Sequence, residues 1–219
     1  MRLKALLVGS AAVAALGVPS TPAAAAPGDT VTMTLTQAIA DLPVAAESRD
    51  GYERTKFRHW VDADRDGCNT RAEVLLEEAV VPPSVGSGCR LSGGRWDSWY
   101  DGRTIDGPAG LDIDHKVPLA EAWDSGASAW SAQERQDYAN DVGDGRALDA
   151  VTAQQNRQKA DQDPATWLPA DAGAYCRYVA DWAVVKTRWD LSADPAEVAA
   201  LLRVASGCPD EEITVVLAR

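Results

Sequence analysis

The chain has 219 residues, of which 46% are hydrophobic, and its formal net charge is −12 at pH 7. This length allows one domain of ordinary size with a real core, and the composition is that of a globular protein. The acidic balance excludes a broad basic surface, the usual footprint of nucleic-acid affinity, so any binding of nucleic acid has to be local.

The N-terminus, residues 1–26, is predicted to be a secretory signal peptide. Arg2 and Lys4 precede an apolar run from Ala5 to Val18, and the Ala-rich end of the segment supplies small-residue cleavage sites. A transmembrane anchor is the less favoured alternative, because the run falls short of the ~20 apolar residues that span a bilayer. We therefore expect a secreted, extracellular protein with no membrane segment in its mature form.

Whether the four cysteines form disulfides depends on the compartment in which the protein resides. In an oxidising environment they most simply form two disulfides, and the residues alone leave three connectivities open among Cys68, Cys89, Cys176 and Cys208. A zinc site is the less favoured alternative, because no Cys-x-x-Cys spacing occurs.

Two regions follow the signal peptide. Residues 27–50 are rich in Thr and Ala, with one short helix around Leu35 to Leu42, and are predicted to be a flexible N-terminal arm. Residues 51–219 are predicted to form a single domain. Within it we expect short strands at residues 90–91 and 95–100, and helices at residues 119–123, 131–140, 163–167, 172–189 and 194–205. The aromatic residues of the second strand are expected to pack on the core rather than to stack on bases: Trp96, Trp99 and Tyr100.

An acidic segment at the start of this domain matches the calcium-loop pattern D-x-D-x-D-G-x₅-E at every specified position. Gly67 permits the sharp turn. Asn69 replaces the usual aliphatic residue, and no second loop pairs with this one, so an acidic turn without a metal stays as the alternative. A bound Ca²⁺ would have a structural role. Its predicted ligand positions, which end in the first turn of a helix over 71–80, are Asp62, Asp64, Asp66, Cys68, Thr70 and Glu73.

Residues 111–119, LDIDHKVPL, alternate apolar and acidic side chains before a proline. Alternation at period two predicts a buried strand with His115 on one face and Asp112 and Asp114 on the opposite face. Pro118 stops the strand and suits the first turn of a helix. The run is typical of a strand that ends at a catalytic pair.

A second strand is predicted at residues 148–152, followed directly by a helix over residues 153–161. On this helix Asn156 and Lys159 are three residues apart and share a face, with Arg157 beside it. A strand with Asp-His, a second strand and a helix with Asn is the order that a ββα-metal nuclease site requires.

These two runs resemble a known family. IDHKVP at residues 113–118 and NRQKAD at residues 156–161 are similar to the HNH nucleases, in the Asp-His…Asn-Arg-x-Lys variety also found in the HNH domain of CRISPR effector nucleases. The wider pattern is closer to the secreted actinobacterial branch of the GmrSD-type HNH endonucleases. Its marks, within a resemblance that covers roughly residues 52–189, are DHKVPLAEAW from residue 114, YAND from 138, NRQKADQDP from 156 and WLP from 167.

The resemblance implies a fold, a cysteine pairing and an activity. The fold is α+β, with a ββα-metal core (HNH or His-Me finger) over residues 111–161, surrounding helices and two disulfides. The pairing, which also joins cysteines near one another in the sequence, is Cys68–Cys89 and Cys176–Cys208. The implied activity is that of an endonuclease that hydrolyses phosphodiester bonds and leaves 3′-hydroxyl and 5′-phosphate ends.

Residue roles follow from the matched motifs. His115, with an ordinary pKa near 6.5, is the predicted general base. Asp114 and Asn156 are the predicted ligands of one Mg²⁺ or Mn²⁺, because oxygen donors suit these ions, and a bend at the strand end has to bring Asp114 round to the metal. Arg157 and Lys159 are predicted to hold substrate phosphates.

Binding in so acidic a protein also needs a local cationic groove. Basic residues that bracket the motifs are predicted to line it, with ordinary solvated charges as the alternative for about half of them: Arg95, Arg103, Lys116, Arg157, Lys159, Lys186 and Arg188. Asn140 is predicted to brace the loop around His115, and a role as helix C-cap is an equal alternative.

The sequence therefore predicts a secreted, magnesium-dependent HNH endonuclease, a hydrolase whose partner is nucleic acid and in the first place DNA. Two alternatives stay open. One is a non-catalytic, calcium-stabilised extracellular binding module with the same fold, and the other is an RNA-directed nuclease. No protein partner is predicted.

Overall fold

The computed structural model describes residues 25–219, so nearly all of the predicted signal peptide lies outside the described residues. The described strands are β1 Thr30–Thr34, β2 Ser84–Gly86, β3 Arg90–Ser92, β4 Arg95–Ser98, β5 Arg103–Asp106, β6 Leu111–His115, β7 Leu148–Thr152 and β8 Glu212–Val216. The described α-helices are α1 Leu35–Asp41, α2 Thr70–Glu77, α3 Leu119–Asp124, α4 Ala132–Ala139, α5 Ala153–Lys159, α6 Tyr175–Arg188 and α7 Pro195–Ala205.

The strands pair antiparallel as four two-stranded sheets, β1 with β8, β2 with β3, β4 with β5 and β6 with β7. Helices surround these small sheets, and the predicted α+β class is confirmed. None of the helices in residues 25–219 combines the length and the apolar character that crossing a bilayer requires.

The prediction of a flexible arm at residues 27–50 is wrong. β1 pairs along its whole length with β8 near the other end of the chain, from Thr30 opposite Val216 to Thr34 opposite Glu212. α1 begins at its N-cap Thr34 and buries Leu35, Ala38 and Ile39, at the spacing of one helix face. Because this apolar face packs on α6 and α7, the segment is part of the fold.

Local signals fixed several helix boundaries. The predicted capping box opens α4, where the Ser131 hydroxyl accepts from the Glu134 amide and the Glu134 carboxylate accepts from the Ser131 amide. Asp194 caps α7, which starts with Pro195. The helix predicted at 163–167 is instead a turn, because the Asp163 carboxylate accepts from the amides of the next residues and closes the turn locally.

Aromatic side chains fill the space between β4 and α6. Trp96 and Tyr100 are fully buried, and the Trp96 indole donates to the Leu75 carbonyl at 2.7 Å. The Tyr100 ring lies 5.4 Å from the Trp167 ring and 5.7 Å from the Tyr178 ring, centroid to centroid. The expected packing role is confirmed for Trp96 and Tyr100.

Both predicted disulfides are present. Cys68–Cys89 joins the segment before α2 to the β2–β3 hairpin, and Cys176–Cys208 joins the first turn of α6 to the segment after α7. They close loops of 21 and 32 residues. Such cross-links stabilise a fold mainly by restricting the unfolded chain.

β6, β7 and α5 place the predicted site residues side by side. β6 and β7 pair in regular register from Leu111 opposite Thr152 to His115 opposite Leu148. α5 follows β7 directly and lies on the β6 face that carries Asp112 and Asp114, since Asn156 bonds to Asp112 and Lys159 to Asp114. The predicted order of two strands and a helix is therefore present in space as well as in the sequence.

Candidate active site

A cavity of about 240 Å³ lies where β6 ends against α5. Three somewhat larger cavities, of about 300, 340 and 270 Å³, are present elsewhere in residues 25–219, and none of the three is lined by a histidine. The cavity beside β6 combines an imidazole, carboxylates, a carboxamide and guanidinium groups, and its polar lining residues are Arg54, Asp114, His115, Asn156, Arg157 and Asp161.

His115 is fixed in orientation by a backbone carbonyl. Its Nε2 lies 3.0 Å from the carbonyl oxygen of Ala139, the last residue of α4. A carbonyl only accepts, so Nε2 carries the proton and donates it, which leaves the Nδ1 lone pair free to accept a proton. The Trp60 ring covers the imidazole with centroids 5.6 Å apart.

Burial keeps this imidazole neutral. The pKa of His115 is lowered from 6.5 to about 3, first because burial disfavours the charged form and then because of the nearby charges of Arg54, His59 and Lys159. The hydrogen bond to Ala139 acts in the opposite direction. The side chain is therefore a neutral proton acceptor throughout the ordinary pH range.

Asn140 holds the end of α4 that carries this carbonyl. Its Oδ1 accepts from the Val61 amide at 3.0 Å and from the Thr70 hydroxyl at 2.8 Å. Its Nδ2 donates to the carbonyls of Arg58 and Gln136, both at 2.7 Å. Asn140 is also the C-cap residue of α4, so the two predicted roles coincide at one side chain.

Asp114 and Lys159 form a buried ion pair. Lys159 Nζ lies 2.8 and 2.7 Å from the two Asp114 oxygens and 2.7 Å from the His115 carbonyl, and the Tyr100 hydroxyl donates to Asp114 Oδ2 at 2.6 Å. Burial raises the pKa of the Asp114 carboxyl, while the hydrogen bonds from Lys159 and Tyr100 oppose that rise. The bend expected at the end of β6 is absent, because the strand stays in register through His115. The expectation that Asp114 needs such a bend is wrong, since Asp114 lines the same cavity as His115 and Asn156 without it.

The predicted phosphate contact by Lys159 does not agree with this arrangement. The Lys159 side chain is fully buried and its ammonium already has three oxygen acceptors. Arg157, two residues earlier on α5, is 75% exposed and lines the cavity. Of the two residues predicted to hold phosphate, only Arg157 is placed to reach one.

Asn156 lies on the same cavity as His115. Its Nδ2 donates to Asp112 Oδ2 at 3.2 Å, and Arg157 Nε lies 3.2 Å from the same oxygen. Asp112 therefore orients both side chains, a role that the sequence interpretation missed. Asn156 Oδ1 makes no hydrogen bond within the described residues.

Arg54 is a second residue that sequence reasoning missed. It lies on a single helical turn, Arg54–Lys56, lines the cavity and makes no ion pair within residues 25–219. Its charge lowers the pKa of His115, which places the guanidinium close to the imidazole. The only available signal was the mixed aromatic and basic character of residues 52–60, which specifies no site.

The predicted cationic groove of seven residues is wrong. Lys116 and Lys186 are fully buried, and so is Lys159. Lys116 Nζ lies 2.7 Å from Asp149, Lys186 lies between two glutamates, and Arg188 binds Asp141. Lysine is rarely buried without a partner, so these cations balance acidic groups inside the protein instead of facing a substrate.

Three of the six predicted calcium ligands lie together. Carboxylate oxygens of Asp62, Asp64 and Asp66 lie within 4.8 Å of one another, and the Gly67 amide donates to Asp62 at 3.1 Å. Burial, and then the charges of Asp64, Asp66 and Asp62, raise the pKa of the Glu73 carboxyl, but Glu73 is not among the oxygens that cluster within 4.8 Å. Within this loop, Cys68 is disulfide-bonded, and the Thr70 hydroxyl is engaged by Val61 and Asn140.

Two of the residues that line the cavity carry side-chain oxygens of the kind that divalent ions bind. Asp114 Oδ1 accepts one hydrogen bond and keeps a lone pair, and Asn156 Oδ1 is free within the described residues. No three His, Cys, Asp or Glu ligand atoms cluster here in residues 25–219. A small donor set that leaves positions for water and phosphate fits Mg²⁺ or Mn²⁺ better than a closed zinc site.

Comparison with known proteins places this site in a family. Residues 86–204, more than half of the chain, match the family described as "GmrSD restriction endonucleases, C-terminal domain". The chain belongs to this family. Residues 111–161, with His115 and Asn156, lie inside the match, so the GmrSD C-terminal domain of this protein contains β6, β7 and α5.

A relative extends the match. The chain is 41% identical over 160 residues to a protein of Arthroderma benhamiae described as an "Uncharacterized secreted protein", over 73% of this chain and 77% of that one. No solved structure matches. Arg54, Trp60 and the calcium-type loop precede residue 86, so they lie outside the GmrSD C-terminal domain match although they contact or adjoin its site.

Proposed function

We propose that this chain is a secreted, metal-dependent endonuclease that hydrolyses phosphodiester bonds of DNA with His115 as general base. The family description supports an endonuclease, and the printed name of the relative supports secretion. The observation that carries the proposal is the neutral His115 imidazole, held by the Ala139 carbonyl with Nδ1 free, in a cavity shared with Asn156 and two arginines.

The proposed reaction begins with proton transfer from water to His115 Nδ1. The water oxygen attacks phosphorus, and the bond from phosphorus to the 3′ oxygen breaks. The departing 3′ oxygen takes a proton from solvent water to become the 3′-hydroxyl, the other product carries the 5′-phosphate, and His115 returns its proton to solvent. The imidazolium that forms is stabilised by the Nε2–H hydrogen bond to Ala139 and by the anionic phosphate beside it. Because Trp60 covers one side of the ring, the base keeps a single orientation.

Arg54 and Arg157 are proposed to hold the scissile phosphate. Both line the cavity, from opposite parts of the chain, and guanidinium groups bind phosphate oxygens through two parallel hydrogen bonds. Asp112 accepts from Arg157 and so fixes that side chain before substrate arrives. Binding through these two local cations does not require a basic net charge.

Asp114 and Asn156 are the proposed holders of one Mg²⁺ or Mn²⁺. Such an ion supplies charge neutralisation on the phosphoryl oxygens and on the departing 3′ oxygen. Lys159 fixes the position of the Asp114 carboxylate, because its ammonium donates to both carboxylate oxygens.

The decisive test is nicking of supercoiled plasmid by the mature chain with MgCl₂ or MnCl₂. We expect relaxed and linear products in the presence of metal and none with EDTA. A matched single-stranded and double-stranded RNA of the same sequence tests the RNA alternative. No cleavage of any of these substrates would favour the non-catalytic, calcium-stabilised module instead.

Calcium binding by residues 62–73 stays a prediction with a structural role. Three aspartate oxygens provide donors for a hard cation, and Gly67 has the positive φ of 97° that the turn needs. This loop leads into α2, whose Thr70 bonds to Asn140, so it supports the wall behind His115.

The first quantitative prediction concerns pH. Because the pKa of His115 is lowered to about 3, its neutral form, the active one, persists until the pH falls through that value. We expect kcat/KM to lose less than about threefold between about pH 7 and pH 5 through this group, instead of following an ordinary histidine with a pKa near 6.5. Initial rates on plasmid over this range, with metal saturating, measure it; an acid limb centred near 6.5 would contradict it.

The second prediction concerns Arg54. Arg54→Ala is expected to raise KM for DNA by about tenfold or more, since it removes a charge-assisted hydrogen bond to phosphate. It should also raise the pKa of His115, because a neighbouring positive charge is lost. Steady-state kinetics and an NMR titration of His115 measure the two effects. Arg58→Ala, an exposed arginine on the same segment outside the cavity, is the matched control and should change neither.

A further inference from the structure

A second group of carboxylates meets on another side of α3. One oxygen each from Glu47, Glu121 and Asp124 lies within 4.8 Å of the other two, and Glu47 forms a similar triplet with Asp163 and Asp194. Glu47 belongs to the segment between α1 and Arg54, and Glu121 and Asp124 belong to α3. Neither the calcium-type loop nor the cavity beside His115 includes any member of the first triplet.

Asp124 contributes to this group a carboxylate with one oxygen that accepts no hydrogen bond. Its side chain is only 4% exposed, and its Oδ2 is bound by Arg49 at 2.6 Å. Its Oδ1 is buried and has no hydrogen-bond partner. A buried carboxylate oxygen without a donor is costly, so its place beside two further carboxylates calls for a cation.

Glu121 and Glu47 complete the triplet with oxygens that are also free. Glu121 is 2% exposed, and its Oε1 accepts from Ser125 at 2.7 Å and from Lys186 at 2.8 Å, which leaves Oε2 without a hydrogen bond in residues 25–219. Glu47 makes no hydrogen bond or ion pair within the same residues.

The cations already present do not balance these acids. Within the described residues, the ion pairs made by the cluster are those of Arg49 with Asp124 and of Lys186 with Glu121. Lys186 is shared with Glu197, another buried carboxylate. Glu47 therefore joins a site that already holds more negative than positive charge.

Spacing and donor chemistry identify the class of ion. Oxygens bound to one Ca²⁺ at 2.3–2.6 Å lie at most about 5 Å apart, so three oxygens within 4.8 Å fit a single ion. The donors are all carboxylate oxygens, with no sulfur or imidazole, which favours a hard cation over Zn²⁺. A site in which only one donor, Glu47, comes from an exposed segment outside α3 suits Ca²⁺ better than Mg²⁺, which requires nearly ideal octahedral geometry.

We propose that Glu47, Glu121 and Asp124 bind a Ca²⁺ ion. The ion ties the segment around residues 43–50 to α3, with Glu121 and Asp124 preset by Lys186 and Arg49. It also acts on the catalytic side, because Arg49 bridges from Asp124 to Asp161, at 3.4 Å, and Asp161 lines the cavity that holds His115.

Calcium counting on the full mature chain tests this proposal. After removal of bound metal, isothermal titration with CaCl₂ is compared for wild type, Glu47→Gln and the control Glu53→Gln, an exposed acid six residues away outside the cluster. Asp64→Asn disables the calcium-type loop separately. We expect Glu47→Gln to lose one bound Ca²⁺, or to weaken it at least tenfold, in both the wild-type and the Asp64→Asn background, while Glu53→Gln changes nothing.

A second variant tests, without metal, whether a positive charge at this position stabilises the fold. Glu47→Lys places an ammonium where the ion is proposed, so its melting temperature in EDTA should exceed that of wild type in EDTA, and calcium should raise it less. Glu47 is exposed, so neither variant removes core packing. If Glu47→Gln binds as many Ca²⁺ ions as Glu53→Gln with equal affinity, or if wild type binds none, the cluster is not a calcium site and the proposal is overturned.

Discussion

His115→Ala is expected to lower the rate of plasmid nicking by a factor of about 10²–10⁴, the usual contribution of a general base. The variant removes Nδ1, the proton acceptor that the Ala139 carbonyl leaves free, and no other neutral base lines the cavity. Single-turnover cleavage of supercoiled plasmid with saturating Mg²⁺ measures the loss at the chemical step.

The matched control is the other histidine. His59 lies beside Trp60, with ring centroids 5.2 Å apart, and its Nδ1 lies 3.0 Å from the Phe57 carbonyl. It is near His115 but does not line the cavity, so His59→Ala should change the rate only a few-fold. If the two variants cleave equally well, the proton acceptor is not His115 and the proposed mechanism fails, although the family assignment would stand.

The site could be predicted from local features of the sequence. The alternation at 111–115, the stop at Pro118 and the helix after residue 152 each act within a few residues, and they placed β6, β7 and α5 correctly. The return of Asn156 to the cavity of His115, 41 positions later in the chain, then followed from pairing of the two strands. Short-range periodicity and one sheet were enough for these residues.

Long-range pairing could not be predicted in the same way. β1 and β8 bond across nearly the whole domain, for example at Thr32 and Thr214, which are 182 residues apart. Neither strand has a turn or motif that indicates its partner. The segment 27–50 therefore looked like an arm, whereas the apolar face of α1 is buried against helices that appear much later in the chain.

The ion-pair partners of the charged residues could not be predicted from the sequence either. A sequence records that Lys116, Lys159 and Lys186 are cations, and it does not record whether each faces water or a buried acid. In this protein all three are fully buried beside carboxylates. The excess of acidic residues explains why: an acidic group that tertiary packing removes from water needs a counter-charge, and the lysines supply it.

Lys159→Met is expected to destabilise the fold by about 3–5 kcal/mol at neutral pH, the cost of removing one partner of a buried ion pair. The variant leaves the Asp114 carboxylate, 4% exposed, with the Tyr100 hydroxyl as its remaining donor among those described. Burial already raises the pKa of Asp114, and without Lys159 the folded state would take up a proton more readily still. The loss of stability should therefore be largest at neutral pH and smaller in acid, as urea denaturation at about pH 7 and pH 5 would measure.

Arg157→Met, two positions earlier on α5, separates this structural role from phosphate binding. Arg157 is 75% exposed, so its loss should leave the free energy of unfolding nearly unchanged and raise KM for DNA. Lys159→Met should lower the free energy of unfolding and leave KM for DNA nearly unchanged. The double variant with Asp114→Asn should recover part of the lost stability, because no unpaired charge is then buried. Suppose instead that Lys159→Met is as stable as wild type and has a raised KM like that of Arg157→Met. That result would contradict the structural role of Lys159 and support its predicted contact with phosphate, with the lysine outside the core in solution.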